Sequence, residues 1–211
     1  MASLRNSRAG GGLGHPDRPG RSGRSMAAER PDDALLDAAR ASILAVGWRR
    51  STLTDVARRA GVSRMTIYRR WPDMQTLLAD LMTREWAGLV EVGDGSPLER
   101  LARGVASAVA ALRGNRLFAK IVQVDPELLL PYLLDRRGRT QDGALALLEA
   151  TVAEGQQDGS VRAGDPVLLA RSVLLAAYGF ALSAPTMTDD RLDEPAFDAE
   201  LGTLVERYLR A

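Results

Sequence analysis

The sequence predicts an all-α protein: a small N-terminal unit of three helices, joined by a fourth helix to a larger helical bundle. Two observations support this prediction. Of the 211 residues, 45% are hydrophobic but only 5% are aromatic, a composition typical of Ala- and Leu-rich helical proteins. Apolar residues also recur at helical spacing between clear breaks made by Gly, Pro, Asn and Asp.

Composition argues against several kinds of site. The chain has no cysteine, so neither a disulfide nor a thiolate metal site is expected. Its one histidine, His15, lies in a Gly- and Arg-rich stretch, so serine–histidine catalysis is not expected. We therefore expect no cofactor, no metal and no catalytic residues. An acidic run is compatible with a hard-metal site, but a solvated loop is favoured; the run comprises Asp189, Asp190, Asp193 and Glu194.

Residues 1–30 are predicted to be a disordered basic tail. The stretch is rich in Gly, Pro and Arg and has too few apolar groups to offset the entropy of ordering it. The alternative is a basic arm laid into a DNA minor groove. The N-terminus lacks the apolar core of a secretion signal, and no apolar run approaches the length of a membrane span. We therefore expect a cytoplasmic protein that does not bind or span membranes.

Positive charge is concentrated at the N-terminal end of the chain. Residues 1–31 hold six Arg against two acids, and residues 32–71 hold eight Arg against four acids. Because the whole chain has a net charge of only +1, residues 72–211 carry a net charge of −7. This asymmetry suits a phosphate-binding N-terminal third, although chance clustering of arginines is the alternative.

The first predicted helix runs from Asp32 to Val46. Asp32 and Asp33 suit its start, and Gly47 is expected to end it. Its predicted apolar stripe consists of Leu36, Ala39, Ile43 and Val46. Trp48 is expected to fill a small core made with Val56 and Ile67.

Residues 52–71 hold two short helical patterns around a tight turn. Thr54 is the predicted N-cap of the first, and Gly61 is suited to end it in the left-handed conformation. Ser63 is the predicted cap of the second, whose Ile67 and Trp71 point inward. The side chains left on the outer surface are Arg64, Met65, Thr66, Tyr68 and Arg69. This arrangement is typical of a helix-turn-helix that reads a major groove.

The stretch V-A-R-R-A-G-V-S-R-M-T-I-Y-R-R-W-P-D, followed by Leu77 and Leu78, resembles the tetracycline-repressor (TetR) family of bacterial regulators. The similarity runs from about Asp32 to Trp86. It implies a DNA-binding domain over residues 31–92, with the helix-turn-helix motif at 52–71, and a helical ligand-binding and dimerisation domain over residues 93–211. One departure is Met74, where the family often has a Lys that contacts phosphate.

The candidate DNA contacts follow from this pattern. Arg64, Met65 and Thr66 begin the second helix and are candidates for base edges. By resemblance, Tyr68, Arg69 and Arg70 match positions that hold phosphates, and Thr52 and Thr54 add backbone contacts. Two alternatives remain open: Thr66 serves only the helix start, and Arg70 pairs with an acid such as Asp73.

The predicted helices of the remaining chain are separated by short breaks. The fourth runs from Asp73 to about Val92, with Leu77, Leu78, Leu81, Met82, Trp86, Leu89 and Val90 in its stripe. The others span Pro97–Arg113, Arg116–Val124, a short element from Asp125 that is kinked or split at Pro131, Thr140–Gln157, Asp165–Ser183 and Pro195–Leu209. In the first of these, Leu98, Leu101, Val105, Val109 and Leu112 point inward. Residues 136–139 (R-R-G-R) are predicted to be a solvated turn; the alternative is a second phosphate site.

Two further surfaces are predicted in this part. Trp86, Phe118, Tyr132 and Tyr178 are candidates to line a mainly apolar ligand pocket, although plain core is the alternative for each. The helix that begins at Asp165 is apolar nearly all round and should be covered on most sides. The family resemblance implies that the last two helices pair with a second copy; the candidate interface residues are Leu174, Tyr178, Phe197, Leu201, Leu204, Val205 and Tyr208.

These observations favour a sequence-specific DNA-binding transcriptional regulator. The expected form is a homodimeric repressor that binds a palindromic operator and is released by a small, largely apolar effector. Two alternatives belong to other classes: an architectural DNA-binding protein with no ligand, and an all-helical enzyme.

Overall fold

The computed structural model describes residues 31–87 and 93–211. Within these ranges the chain is helical, and its one β-type pairing is an isolated bridge between Val161 and Arg210. The helices are α1 Pro31–Val46, α2 Leu53–Arg59, α3 Arg64–Arg70, α4 Met74–Ala87, α5 Pro97–Gly114, α6 Arg116–Val124, α7 Leu130–Leu134, α8 Arg139–Asp158, α9 Pro166–Ser183 and α10 Glu194–Leu209. Short 3₁₀ turns cover Pro126–Leu128 and Ala184–Thr186. The predicted all-α class is confirmed.

Predicted breaks fall where the chain was expected to turn. The element around Pro131 is split into a 3₁₀ turn and α7, as its missing amide and fixed φ require. Asp165 caps α9 by accepting from the amide of Val167, and Pro166 occupies the first helical position. The predicted basic tail lies outside the described residues. So do Leu89, Val90 and the predicted end of the fourth helix at Val92.

A first core lies between α1, α2, α3 and α4, and we call it the head core. Its buried residues include Leu36, Ala39, Ile43, Val56, Ile67, Trp71, Leu77, Leu78 and Leu81. Two residues of α6, Leu117 and Ile121, are also buried in it, at 0% and 1% exposure. The three-helix unit is therefore supported by α6 as well as by α4, which the sequence pattern did not predict.

Two details of α1 differ from expectation. Val46, the last residue of the predicted stripe, is 46% exposed and is not part of the head core, because the chain leaves the helix at Gly47, whose positive φ of 84° redirects it. Trp48 is only partly buried at the edge of the head core. Its backbone amide donates instead to the carboxylate of Asp125, at 3.0 Å, at the end of α6. Asp125 is itself 2% exposed, so this contact joins the two parts of the chain from within.

A second core, the body core, lies between α5, α8, α9 and α10. All five residues predicted to point inward from α5 are buried in it: Leu98, Leu101, Val105, Val109 and Leu112. Leu201 and Val205 of α10 also belong to it, at 0% and 2% exposure. The prediction that these two form a dimer interface is therefore wrong: α10 turns that stripe toward its own chain, against α5.

Helix α9 is not covered on most sides within one chain. Leu168 and Leu175 are 62% and 69% exposed, whereas Leu169, Ala170 and Val173 of the opposite face are buried. Within the described ranges α9 is the one helix long and apolar enough to cross a membrane, so the expectation that no apolar run approaches that length is wrong. One face of α9 is apolar because it packs in the body core. The opposite face carries an apolar stripe that is open in a single chain.

Candidate nucleic-acid interface and internal cavity

Helix α2 begins two residues earlier than predicted. Thr52, not Thr54, is the N-cap: its hydroxyl oxygen accepts from the amide of Asp55 at 3.1 Å. The same hydroxyl donates to the Asp55 carboxylate at 2.6 Å, and that carboxylate accepts from Arg58 at 2.7 Å. Thr54 lies in the first turn and is half-buried. A phosphate contact by Thr52 would therefore compete with its cap.

Helix α3 is held in place by its ends. Gly61 has a φ of +70°, and Ser63 caps the helix by accepting from the amide of Thr66 at 3.2 Å. Ile67 and Trp71 anchor the inner face, at 0% and 1% exposure. The outer face of this short helix is consequently fixed relative to the head core.

The predicted base-reading and phosphate-binding residues lie on that outer face. Met65 is 79% and Tyr68 49% exposed, and Arg64 and Arg69 are exposed as well. Thr66 is half-buried, and its hydroxyl lies 2.9 Å from the Ser63 hydroxyl, so it takes part in the helix start. The apolar side chain of Met65 stays in contact with water unless a binding partner covers it, so its exposure is a feature of an interaction surface.

The arginines of this surface differ in their partners. Arg64 and Arg69 form no ion pair with any residue in the described ranges. Arg70 is paired with an acid, as that alternative held, but the acid is Asp32 at the start of α1 and not Asp73. Asp73 instead caps α4, accepting from the amide of Thr76 at 2.7 Å, and this hydrogen bond lowers the pKa of Asp73. Of the three arginines of α3, Arg64 and Arg69 are therefore the two without an ion pair in the described ranges.

The end of α3 is tied to the body through one carboxylate. The indole Nε1 of Trp71 donates to Oδ2 of Asp80 on α4, at 2.7 Å. The other oxygen of Asp80 accepts from the guanidinium of Arg139, the first residue of α8. A second contact between these helices joins the hydroxyls of Thr83 and Thr140 at 3.2 Å. Sequence reasoning missed Asp80, because nothing in the spacing of α4 and α8 places them together.

The four aromatic residues predicted to line a ligand pocket lie around one cavity. Trp86, Phe118, Tyr132 and Tyr178 all line an internal space of about 130 Å³, which we call the inner cavity. Trp86 and Phe118 meet edge to face with centroids 6.3 Å apart. Most of the remaining wall is aliphatic, and Gly138, Arg139, Thr140 and Gln141 form its polar side. That these residues bind a ligand stays a prediction.

Two polar atoms in the wall have no hydrogen-bond partner in the described residues: the indole Nε1 of Trp86 and the hydroxyl of Tyr178. Gln141 lies near enough to Tyr178 to act on its pKa, but no hydrogen bond of normal length and angle joins the two side chains. The Gln141 amide donates to the Tyr132 carbonyl at 2.9 Å and accepts from the Gly138 amide at 2.6 Å. Burial raises the pKa of Tyr178, so the phenol stays protonated at neutral pH and remains a donor.

An outer cleft of about 540 Å³ adjoins the inner cavity, and Tyr132, Leu133, Gln141 and Tyr178 line both. Exposed leucines and three arginines form the rest of this cleft, among them Leu134, Leu175, Arg136, Arg137 and Arg171. Arg136 lies over the Tyr132 ring at 5.7 Å, and Arg137 pairs with Asp142 at 2.9 Å. The turn at residues 136–139 is therefore committed to contacts within the body.

The acidic run is used by the loop before α10. Asp189 accepts from the amides of Arg191 and Leu192, and Asp193 caps α10 by accepting from Ala196. Glu194 pairs with Arg113 at 3.1 Å. Three of the four carboxylates of the acidic run therefore have partners within the protein.

Comparison with known proteins agrees with this geometry. The family model for "Bacterial regulatory proteins, tetR family" matches residues 35–81. An uncharacterized HTH-type transcriptional regulator of Mycobacterium tuberculosis, Rv2250c, is 37% identical over 189 residues, which cover 88% of this chain and 98% of that protein.

Two solved structures share the fold at lower sequence identity. TylP, a TetR regulator from Streptomyces fradiae, superposes with a TM-score of 0.64 at 16% identity, over 86% of this chain and 87% of that one. The transcriptional regulator FadR from Bacillus subtilis, in complex with stearoyl-CoA, gives a TM-score of 0.61 at 21% identity, over 84% and 98%. The head, the exposed face of α3 and the relatives together show that this chain belongs to the TetR family and is a DNA-binding transcriptional regulator.

Proposed function

We propose that this protein is a cytoplasmic, homodimeric repressor that binds a palindromic operator and is released by a small, largely apolar effector. The observation that carries the proposal is the shared carboxylate of Asp80. It joins the end of α3, the DNA-facing helix, to Arg139 in the wall of the inner cavity. A ligand that moves this wall also acts on a contact of the DNA-facing helix.

The dimer is supported by the open apolar surface of the last two long helices. Leu168 and Leu175 of α9 and Leu204 and Tyr208 of α10 are each at least 36% exposed, and α9 and α10 pack against each other. A two-fold axis through this surface would present two α3 helices to successive turns of one DNA face. Of the predicted interface, Leu174, Tyr178 and Phe197 are half-buried.

The effector is supported by the inner cavity and by one relative. An apolar cavity of about 150 Å³ holds a benzene-sized molecule, so 130 Å³ accommodates a ring or a short alkyl chain. A longer molecule would continue past Tyr178 into the outer cleft. FadR, bound to stearoyl-CoA, shows that a protein of this fold takes a ligand with an apolar chain. A cavity of this kind favours a ligand-responsive regulator over an architectural DNA-binding protein.

Release would follow from differential affinity. An effector shifts the conformational equilibrium toward the state that no longer fits both half-sites only to the extent that it binds that state more tightly. Filling the inner cavity separates α8 from α4, which strains the contacts of Arg139 and Thr140 with Asp80 and Thr83. The hydrogen bond to Trp71 then transmits the shift to α3. A decisive switch needs a preference of about 5.5 kcal/mol between the two states.

A mobility-shift assay on the DNA upstream of this protein's own gene tests the proposal. The wild type is expected to bind in a salt-dependent manner, and Tyr68→Ala to bind more weakly. Met187→Ala, which removes an exposed large side chain before α10, serves as the matched control and should bind like the wild type. Equal binding by all three proteins would contradict the assignment of α3 to the operator.

A further inference from the structure

The inner cavity also indicates what chemistry its ligand carries. Buried polar groups in folded proteins are almost always hydrogen-bonded, and a donor left alone costs free energy comparable to a lost hydrogen bond. Each polar side chain in the cavity wall can therefore be assigned a partner or identified as lacking one. This step rests on the proposal that the cavity is the effector site.

Most polar groups of the wall are engaged within the protein. Arg139, the one charged residue among those that line the cavity, is paired with Asp80. Thr140 shares a hydrogen bond with Thr83, and the Gln141 amide donates to the Tyr132 carbonyl and accepts from the Gly138 amide. No described group in the wall is left to neutralise a charge on a ligand.

The two exceptions are both donors. An indole N–H can only donate, and the hydroxyl of Tyr178 can donate as well as accept. Both atoms are buried and unpartnered, and they belong to side chains on different helices, α4 and α9, that line the same space. A carbonyl oxygen has two lone pairs and can therefore accept from both.

We infer that the part of the effector lodged in the inner cavity is uncharged and carries a carbonyl-type oxygen that accepts hydrogen bonds from Trp86 Nε1 and the Tyr178 hydroxyl. Ketones, esters and amides with an apolar body belong to this class; a carboxylate inside the cavity does not. Such a ligand would also bridge α4 to α9, so its binding acts directly on the helix that holds Asp80.

Three probes of the same size and shape separate the possibilities: acetophenone, its hydrocarbon isostere cumene, and benzoate. We expect calorimetric titration of the full chain to rank acetophenone above cumene by roughly two- to tenfold for each hydrogen bond, with benzoate weakest. Tyr178→Phe removes only the hydroxyl, so it should lower the affinity for acetophenone by a factor in that range and leave the affinity for cumene unchanged. Trp86→Phe also shortens the ring, so it is expected to lower the ratio of the acetophenone affinity to the cumene affinity by a factor in that range.

Two matched variants control for folding. Trp48→Phe and Tyr208→Phe make the same atomic changes at residues that do not line the cavity, and both should bind acetophenone like the wild type. Equal affinity for acetophenone and cumene, tighter binding of cumene, or tightest binding of benzoate would each overturn the inference while leaving the pocket in place. Failure of all three probes to bind would instead overturn the pocket, and with it the proposed effector response.

Discussion

The indole of Trp71 donates a 2.7 Å hydrogen bond to the carboxylate of Asp80, which joins the residue that ends the DNA-facing helix to the helix that enters the body. Trp71 is 1% exposed, so its N–H has no access to water. The same carboxylate binds Arg139 in the wall of the inner cavity. Under the proposed function, Asp80 is therefore the residue through which the effector would act on the stability of the head.

Replacing Asp80 tests this arrangement through stability. Asp80→Ala leaves the buried N–H of Trp71 unsatisfied, and we expect it to lower the free energy of unfolding by about 1–3 kcal/mol. Asp80→Asn retains an acceptor oxygen and should cost less. Urea denaturation followed by tryptophan fluorescence measures both. Asp142→Ala removes an exposed partner of Arg137 on α8, and a loss as large as that of Asp80→Ala would argue against a special role for Asp80.

Phosphate contacts by α3 are expected to appear in the salt dependence of DNA binding. Arg69 is exposed and has no ion-pair partner in the described ranges, so Arg69→Ala should flatten the slope of log K against log salt by about 0.9. Arg207→Ala, which removes an exposed arginine from α10, should leave the slope unchanged. Fluorescence anisotropy at several salt concentrations gives the slopes, and a slope unaltered by Arg69→Ala would remove this residue from the DNA surface.

The dimer is tested at the open stripe of α9. Leu175→Glu introduces a charge at a position that is 69% exposed in one chain but buried if a second copy covers it. Because a two-fold interface contains the substituted residue twice, we expect the free energy of dimerisation to weaken by at least about 3 kcal/mol. Analytical ultracentrifugation detects the monomer. Leu147→Glu on α8 is the control, and equal dissociation by both variants would argue against this surface.

The contact between head and body predicts an acid-sensitive contribution to stability. The guanidinium of Arg49 donates to Glu127 at 2.8 Å, and this hydrogen bond lowers the pKa of Glu127 below its usual value of about 4.3. A lowered folded-state pKa means that the pair stabilises the protein at neutral pH and loses its contribution as the pH falls through that value. Glu127→Gln should therefore lower the urea midpoint at about pH 7 but not at about pH 2.

The matched control for this pH prediction is Glu200→Gln on α10, an exposed acid without an ion-pair partner in the described ranges. It should leave the midpoint unchanged at both values. If Glu127→Gln lowers the urea midpoint equally at neutral and at low pH, the substitution acts through packing and not through charge.

Local signals in the sequence predicted what local chemistry decides. Ser63 and Asp165 cap their helices as expected because capping depends on a few neighbouring residues. Thr52 and Thr54 are both good caps, so spacing alone could not choose between them. The apolar period placed α10 correctly but not the orientation of its stripe, since Leu201 and Leu204 are equally apolar and only tertiary packing decides which one faces α5.

Contacts between distant segments could not be read from the chain. The aromatic residues of the inner cavity were selected for size and amphipathic character, and the packing of α4, α6, α7 and α9 brings them together around one space. Asp80 and Arg139 carried no comparable signal, because acids and arginines occur throughout the exposed helix faces. The same holds for Leu117 and Ile121, whose apolar period fits either core.

In the proposed dimer, two α3 helices related by a two-fold axis read DNA with the residues that follow Ser63. Selection of bound sequences from randomised duplexes by the full chain measures whether they do. We expect an enriched palindrome whose half-sites lie about 10 base pairs apart or a multiple of that, and the loss of discrimination at one position per half-site with Arg64→Ala. Enrichment of a single unrepeated site, or of none, would contradict the account.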